Sequence, residues 1–141
     1  MLHIIKLAVG VDSVSQLVDW QGQRLKEMAR SKQTPELMHV TRNTPKRAGE
    51  VLDGGSLYWV INGWIAARQR LLELRPVSRD GMPYCGLVYD KELVRVQSRQ
   101  HRPFQGWRYL NAADAPRDLT DQSEEDIPDE IRREMIKLGI Y

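Results

Sequence analysis

One cysteine, one phenylalanine and three histidines among 141 residues leave little material for several common chemistries. Cys85 stands alone, so no intrachain disulfide forms and no recognisable zinc set can be assembled around it. No stretch approaches the roughly 20 consecutive apolar residues that would span a bilayer. The opening Met1-Leu2-His3-Ile4-Ile5-Lys6-Leu7 lacks the long apolar core and small-residue cleavage site of a secretory signal. Together with the single thiol, this predicts a cytoplasmic protein that needs neither metal nor cofactor. Gly-x-Ser-x-Gly, Walker and Gly-x-Gly-x-x-Gly motifs are missing too, and His3, His39 and His101 belong to no His-Glu-x-x-His pair.

What is present is an ordinary globular balance, 41% apolar and 28% charged, in a length that suits one domain. The net charge of +2 conceals an asymmetry. Residues 1–110 carry 17 Lys and Arg against 10 acids, whereas residues 111–141 carry 4 against 9. That divides the chain into a basic α+β domain over 1–118 and an acidic linker with a C-terminal helix over 119–141. Solvation of two ordinary surfaces explains the same numbers.

Local signals place the elements. Residues 2–9 read as a buried strand, and Ser13 caps a helix to about Ser31 with Val14, Leu17, Val18, Leu25 and Met28 at helical spacing. Residues 36–42 read as a strand. Thr44-Pro45 has the form of an N-cap followed by proline at the first helical position, with Gly54-Gly55 as the stop. Ser56 to Asn62 is a strand ending in the hairpin dipeptide Asn62-Gly63. Residues 64–75 suit strand or helix; the hairpin before them and Pro76 after them favour strand. Strands over 84–90 and 93–98 flank a turn at Asp90-Lys91, another spans 106–110, and Pro128 opens the last helix. This order predicts an α+β fold: a curved antiparallel sheet or small barrel flanked by helices.

Candidate binding residues are cationic. With Thr44 as N-cap, Lys46 and Arg47 fall in the first turn, where free N–H groups and two positive charges suit a phosphate. A surface pair of Lys46 with Glu50 is the plainer account. Arg42 precedes this cluster. Arg68 and Arg70 share a face if 64–75 is a strand. Between Lys91 and Arg108 five cations meet one acid, Glu92, interleaved with His101, Phe104 and Trp107. Arginines among aromatics are what RNA binding uses, though Trp107 and Tyr109 serve equally as core.

Two resemblances add to this. Val40-Thr41-Arg42, Pro45-Lys46-Arg47-Ala48, Leu52 to Ile61, Ala67 to Leu72 and Arg102 to Leu110 together resemble the signature of a small alphaproteobacterial family, a domain of unknown function. The likeness runs over nearly the whole chain and implies no activity. The succession of strand, Asn62-Gly63, basic strand and hairpins is similar to PUA-like domains and their ASCH branch. That likeness implies a compact β-barrel recognising RNA or modified bases. The ASCH pattern Gly-x-Lys-x-x-Glu-x-Arg matches only Gly63 and Arg70, with Ile65 and Arg68 in place of Lys and Glu, which argues against the same catalysis.

The expectation is a binding domain for RNA or another phosphate-bearing ligand, using Arg42, Thr44, Lys46, Arg47, Arg68, Arg70, Trp107 and Arg108. The alternatives are a small hydrolase or nucleotide-processing enzyme using His39, Glu50 or Asp53, and a protein–protein adaptor docking through Ile131, Met135 and Leu138.

Overall fold

In the computed structural model the chain is described over residues 1–119 and at Lys137. The linker and C-terminal helix expected over 119–141, with Ile131, Met135 and Leu138, lie outside the described residues apart from Leu119 and Lys137. The elements run β1 (Leu2–Leu7), α1 (Val14–Arg30), β2 (Leu37–Thr41), α2 (Ala48–Leu52), β3 (Ser56–Ile61), β4 (Trp64–Arg79), β5 (Met82–Tyr89), β6 (Val94–Gln100) and β7 (Trp107–Asn111).

The first helix starts as its sequence requires. Ser13 Oγ accepts the Gln16 N–H at 3.1 Å, and Gln16 Oε1 accepts the Asp12 N–H at 2.7 Å, so two orphan donors are satisfied by one side-chain pair. Asn62 and Gly63 take φ of 49° and 82°, the left-handed pair that a tight β3–β4 hairpin needs.

The strands form one curved mixed sheet, ordered β2-β5-β4-β3-β1-β7, with β6 also on β4. Residues 56–110 pair antiparallel, as expected. β1 runs parallel to β3, because α1, β2 and α2 intervene and return the chain in the same direction. The sheet does not close into a barrel.

β4 is a strand, and it continues through Pro76 to Arg79. Beyond Leu71, whose N–H still donates to Gly55 O at 3.0 Å, β4 pairs among the described residues with β5 alone, so proline sits where the ladder is one-sided and little is lost. The reversal comes at Asp80-Gly81, with φ of 52° and 77°. β5 and β6 do not pair around Asp90-Lys91. They return in succession along β4, β5 on its second half and β6 on its first, and the Asp90 N–H still donates to Arg70 O at 2.8 Å between them.

Alternation sends Leu57, Trp59 and Ile61 of β3 to one face, with Leu2 and Ile4 of β1, under α1 and α2. Tyr58, Val60 and Ile5 go to the other face and pack with Val96, Phe104 and Leu110. Burying apolar area at about 25 cal/mol per Å² is what holds the helices down.

Candidate functional site

The best-formed concavity lies on the helix side, below the β1–α1 loop. Five elements line a cavity of about 340 Å³: Leu7 to Val11, Leu17 and Trp20 of α1, His39 of β2, Trp59 of β3 and Tyr89 of β5. Gly10, at φ 83°, turns the chain over its rim. Trp59 is the central ring, edge-on to Tyr89 at 5.6 Å and to His39 at 6.3 Å.

Trp59 is held from behind. Its indole N–H donates to Gln69 Oε1 at 2.8 Å, and Gln69 exchanges reciprocal amide hydrogen bonds with Gln21 of α1, both at 2.8 Å. The Gln69 amide also donates to Asp90 O at 3.0 Å. Gln69 is fully buried, and each of its polar atoms has a partner. Trp20, by contrast, is 53% exposed, and Val9, which lines the same cavity, is also open to solvent. A large ring left uncovered at the mouth of a ring-lined cavity is the feature that packing alone does not explain.

Cations act on two of these rings. Burial, then the charges of Lys6 and Arg79, push His39 down to about 4, so its imidazole is neutral at pH 7. Burial raises the Tyr89 phenol to about 12, with Arg24 acting in the opposite sense. Lys6 faces the helix side between its register partners Trp59 and Trp107. Burial lowers its pKa, and among the described residues no carboxylate pairs with it. Rings for stacking inside a positive field suit a planar ligand that is neutral or anionic, and disfavour a cation.

The expected binding residues fall into two groups. Arg42, Thr44 and Lys46 are exposed in the β2–α2 connection on the helix side. The helix there begins at Ala48, with Arg47 at the cap position and no side-chain cap, so Thr44 does not start it and Lys46 lies outside its first turn. Tertiary contacts override the local signal. Trp107 Nε1–H donates to Asn43 O at 2.8 Å, and the Arg47 N–H donates to the Tyr109 hydroxyl at 3.0 Å. Glu50 takes Arg47, not Lys46, with its guanidinium 5.6 Å from the Tyr109 ring. Trp107 and Tyr109, edge-to-face at 4.9 Å, therefore dock this loop on the sheet.

Arg68, Arg70 and Arg108 lie on the opposite face. Register partners share a face, and these pair with Tyr58, Ser56 and Ile5. Arg68 is bound to Asp118 through Nε at 2.7 Å and Nη2 at 2.6 Å, and its Nη1 donates to Ser56 Oγ at 3.1 Å. Arg108 lies over the Phe104 ring at 5.6 Å. The cations expected to make one surface thus sit on two sides of a sheet.

His39, Glu50 and Asp53 do not share a cleft. Glu50 and Asp53 line a separate hollow with Met1, Leu2, Arg47, Asn111 and Ala112. Among the described residues no group of three or more His, Cys, Asp or Glu could hold a metal, and no helix is long and apolar enough to cross a membrane. Sequence reasoning missed Lys6, Trp20, Trp59 and Tyr89 as site residues. The one available signal was Trp20, which lies off the apolar stripe of α1.

No curated protein and no solved structure matches the chain. A family model covers residues 4–141, nearly all of it. The chain belongs to the DUF1489 family of proteins of unknown function.

Proposed function

We propose that this protein is a binding domain for RNA or another phosphate-bearing nucleotide ligand, one base of which enters the cavity between Trp20, His39, Trp59 and Tyr89. The carrying observation is that cavity itself: rings from four elements, with Trp20 half uncovered at its mouth. Every base presents a π-face, so stacking on Trp20 and Trp59 supplies affinity without demanding a sequence. Lys6, Arg24 and Arg79 supply a field that draws phosphate. Arg42, Lys46 and Arg47 extend the cationic surface on the same side, beyond Trp107.

The test is a titration of uridine and adenosine monophosphates and of a decauridylate, read by tryptophan fluorescence. Trp20→Ala weakens binding by roughly 5- to 150-fold, the range expected for one stacked base, while the melting temperature hardly moves because the ring is exposed. Affinity for the decauridylate falls steeply with salt. Unchanged affinity in Trp20→Ala, or binding indifferent to salt, rejects the reading.

A further inference from the structure

On the face of the sheet opposite the cavity, two rows of side chains cross the strands. Arg68, Tyr58, Ile5 and Arg108 form one row by register, and Arg70, Ser56 and His3 form the next. Ser56 and His3 are buried, and the Ser56 N–H donates to His3 Nδ1 at 3.0 Å, which leaves the imidazole proton on Nε2 as a donor. The Arg68 guanidinium is fixed on three nitrogens. Ser56 Oγ accepts from Nη1, and Nε and Nη2 are presented side by side to one carboxylate, that of Asp118. Two parallel donors at 2.6–2.7 Å are the geometry in which arginine holds a carboxylate or a phosphate. Arg70 stands on the same face, about 7 Å further along the strand and exposed, and among the described residues no carboxylate pairs with it.

The carboxylate that fills this place comes from the segment that follows β7. Arg117 to Leu119 lie against β6 through one isolated bridge, Val96 with Asp118, two backbone hydrogen bonds, and the Arg117 Nε–H donated to Gln97 Oε1 at 2.9 Å. Asp118 is also the first acid of a series that continues in the sequence with Asp121, Glu124, Glu125 and Asp126.

We propose that Arg68 and Arg70, with Ser56 and His3, form a second ligand site, for the oxyanions of a phosphate ester or polyphosphate, and that Asp118 occupies it in cis as a competitor. A phosphate group displaces the Asp118 carboxylate from Arg68 and adds Arg70, which the aspartate does not engage. The site is independent of the aromatic cavity, on the other side of the sheet.

Calorimetric titration of the full-length protein with inorganic tripolyphosphate, and separately with decauridylate, tests this. Asp118→Asn binds roughly fivefold or more tighter than wild type, a typical size for one coupled contact. With decauridylate its salt dependence steepens by about 0.7 in log–log slope, one further phosphate neutralised on a single strand. Arg68→Gln in the Asp118→Asn background removes both gains. A gain with both probes assigns the site to phosphate oxyanions generally, and a gain with decauridylate alone assigns it to the RNA backbone. Equal affinity of Asp118→Asn and wild type for both probes overturns the proposal, as does a gain that survives Arg68→Gln. Asp118→Ser repeats the test if the asparagine variant does not fold. Tripolyphosphate carries no base, so the outcome is the same in a Trp20→Ala protein, and failure of the cavity reading leaves this one standing.

Discussion

Replacing Gln69 by leucine probes both the core and the cavity. The side chain is completely buried on β4 and makes four hydrogen bonds: from the Trp59 indole, to and from the Gln21 amide, and to Asp90 O. Leucine is close in size, so little cavity opens and the loss is polar. Among the described residues the Trp59 indole N–H has no other partner, and a buried group left unsatisfied costs about 1–3 kcal/mol. Gln21 borders a surface hollow with Lys91 and Arg95, and its amide can turn toward water there. The Asp90 carbonyl is half-buried and recovers part of its hydration. The sum is about 3 kcal/mol, a large share of the roughly 5–15 kcal/mol by which a domain is stable. Urea unfolding followed by fluorescence and circular dichroism measures it. Adding Gln21→Met to Gln69→Leu should cost less than the two single changes together, because each single change already breaks the same reciprocal pair of amide hydrogen bonds. The same leucine frees Trp59 to tilt, so base binding should weaken while Trp20 remains in place. A loss below about 1 kcal/mol, or strict additivity in the cycle, would refute this account of the amide pair.

Two glycine substitutions should have opposite signs. A Cβ on Gly55 runs into the backbone carbonyls of Leu2 and Val51, which cannot swing aside, so Gly55→Ala should cost about 2–3 kcal/mol or more in urea unfolding. A Cβ on Gly22 in α1 meets nothing within 4 Å, so Gly22→Ala should stabilise by about 0.5–1 kcal/mol. His39, held near 4 against an ordinary 6.5, takes up its proton in the unfolded chain first as the pH falls. Its contribution is therefore full above pH 6.5 and is lost between 6.5 and 4, by roughly 1–2 kcal/mol once partial exposure is allowed for. Melting temperatures of His39→Gln across that window should fall less than those of wild type.

Signals that close within a few residues were readable in advance. Ser13 with Gln16 makes α1 begin where it does, and Asn62-Gly63 reverses the chain because left-handed φ angles are cheap there. Asp80-Gly81 carries the same local signal, and reading Pro76 as a strand end hid it; a one-sided ladder tolerates that proline. Thr44-Pro45 is the opposite case, a sound cap sequence overruled by Trp107 and Tyr109, which are more than 60 residues away and bind the backbone of Asn43 and Arg47.

Composition and short-range pattern are enough for the α+β class, the first helix, the hairpin after β3 and the excess of cations over the first 110 residues. Where those cations stand follows from strand pairing. Side chains alternate along a strand, so Arg68, Arg70 and Arg108 turn to one face and the loop carrying Arg42, Lys46 and Arg47 packs on the other. The cavity depended on it entirely, because its rings come from α1, β2, β3 and β5. Strand pairing at long separation brings those elements together, and a local pattern of residues carries no record of its partner.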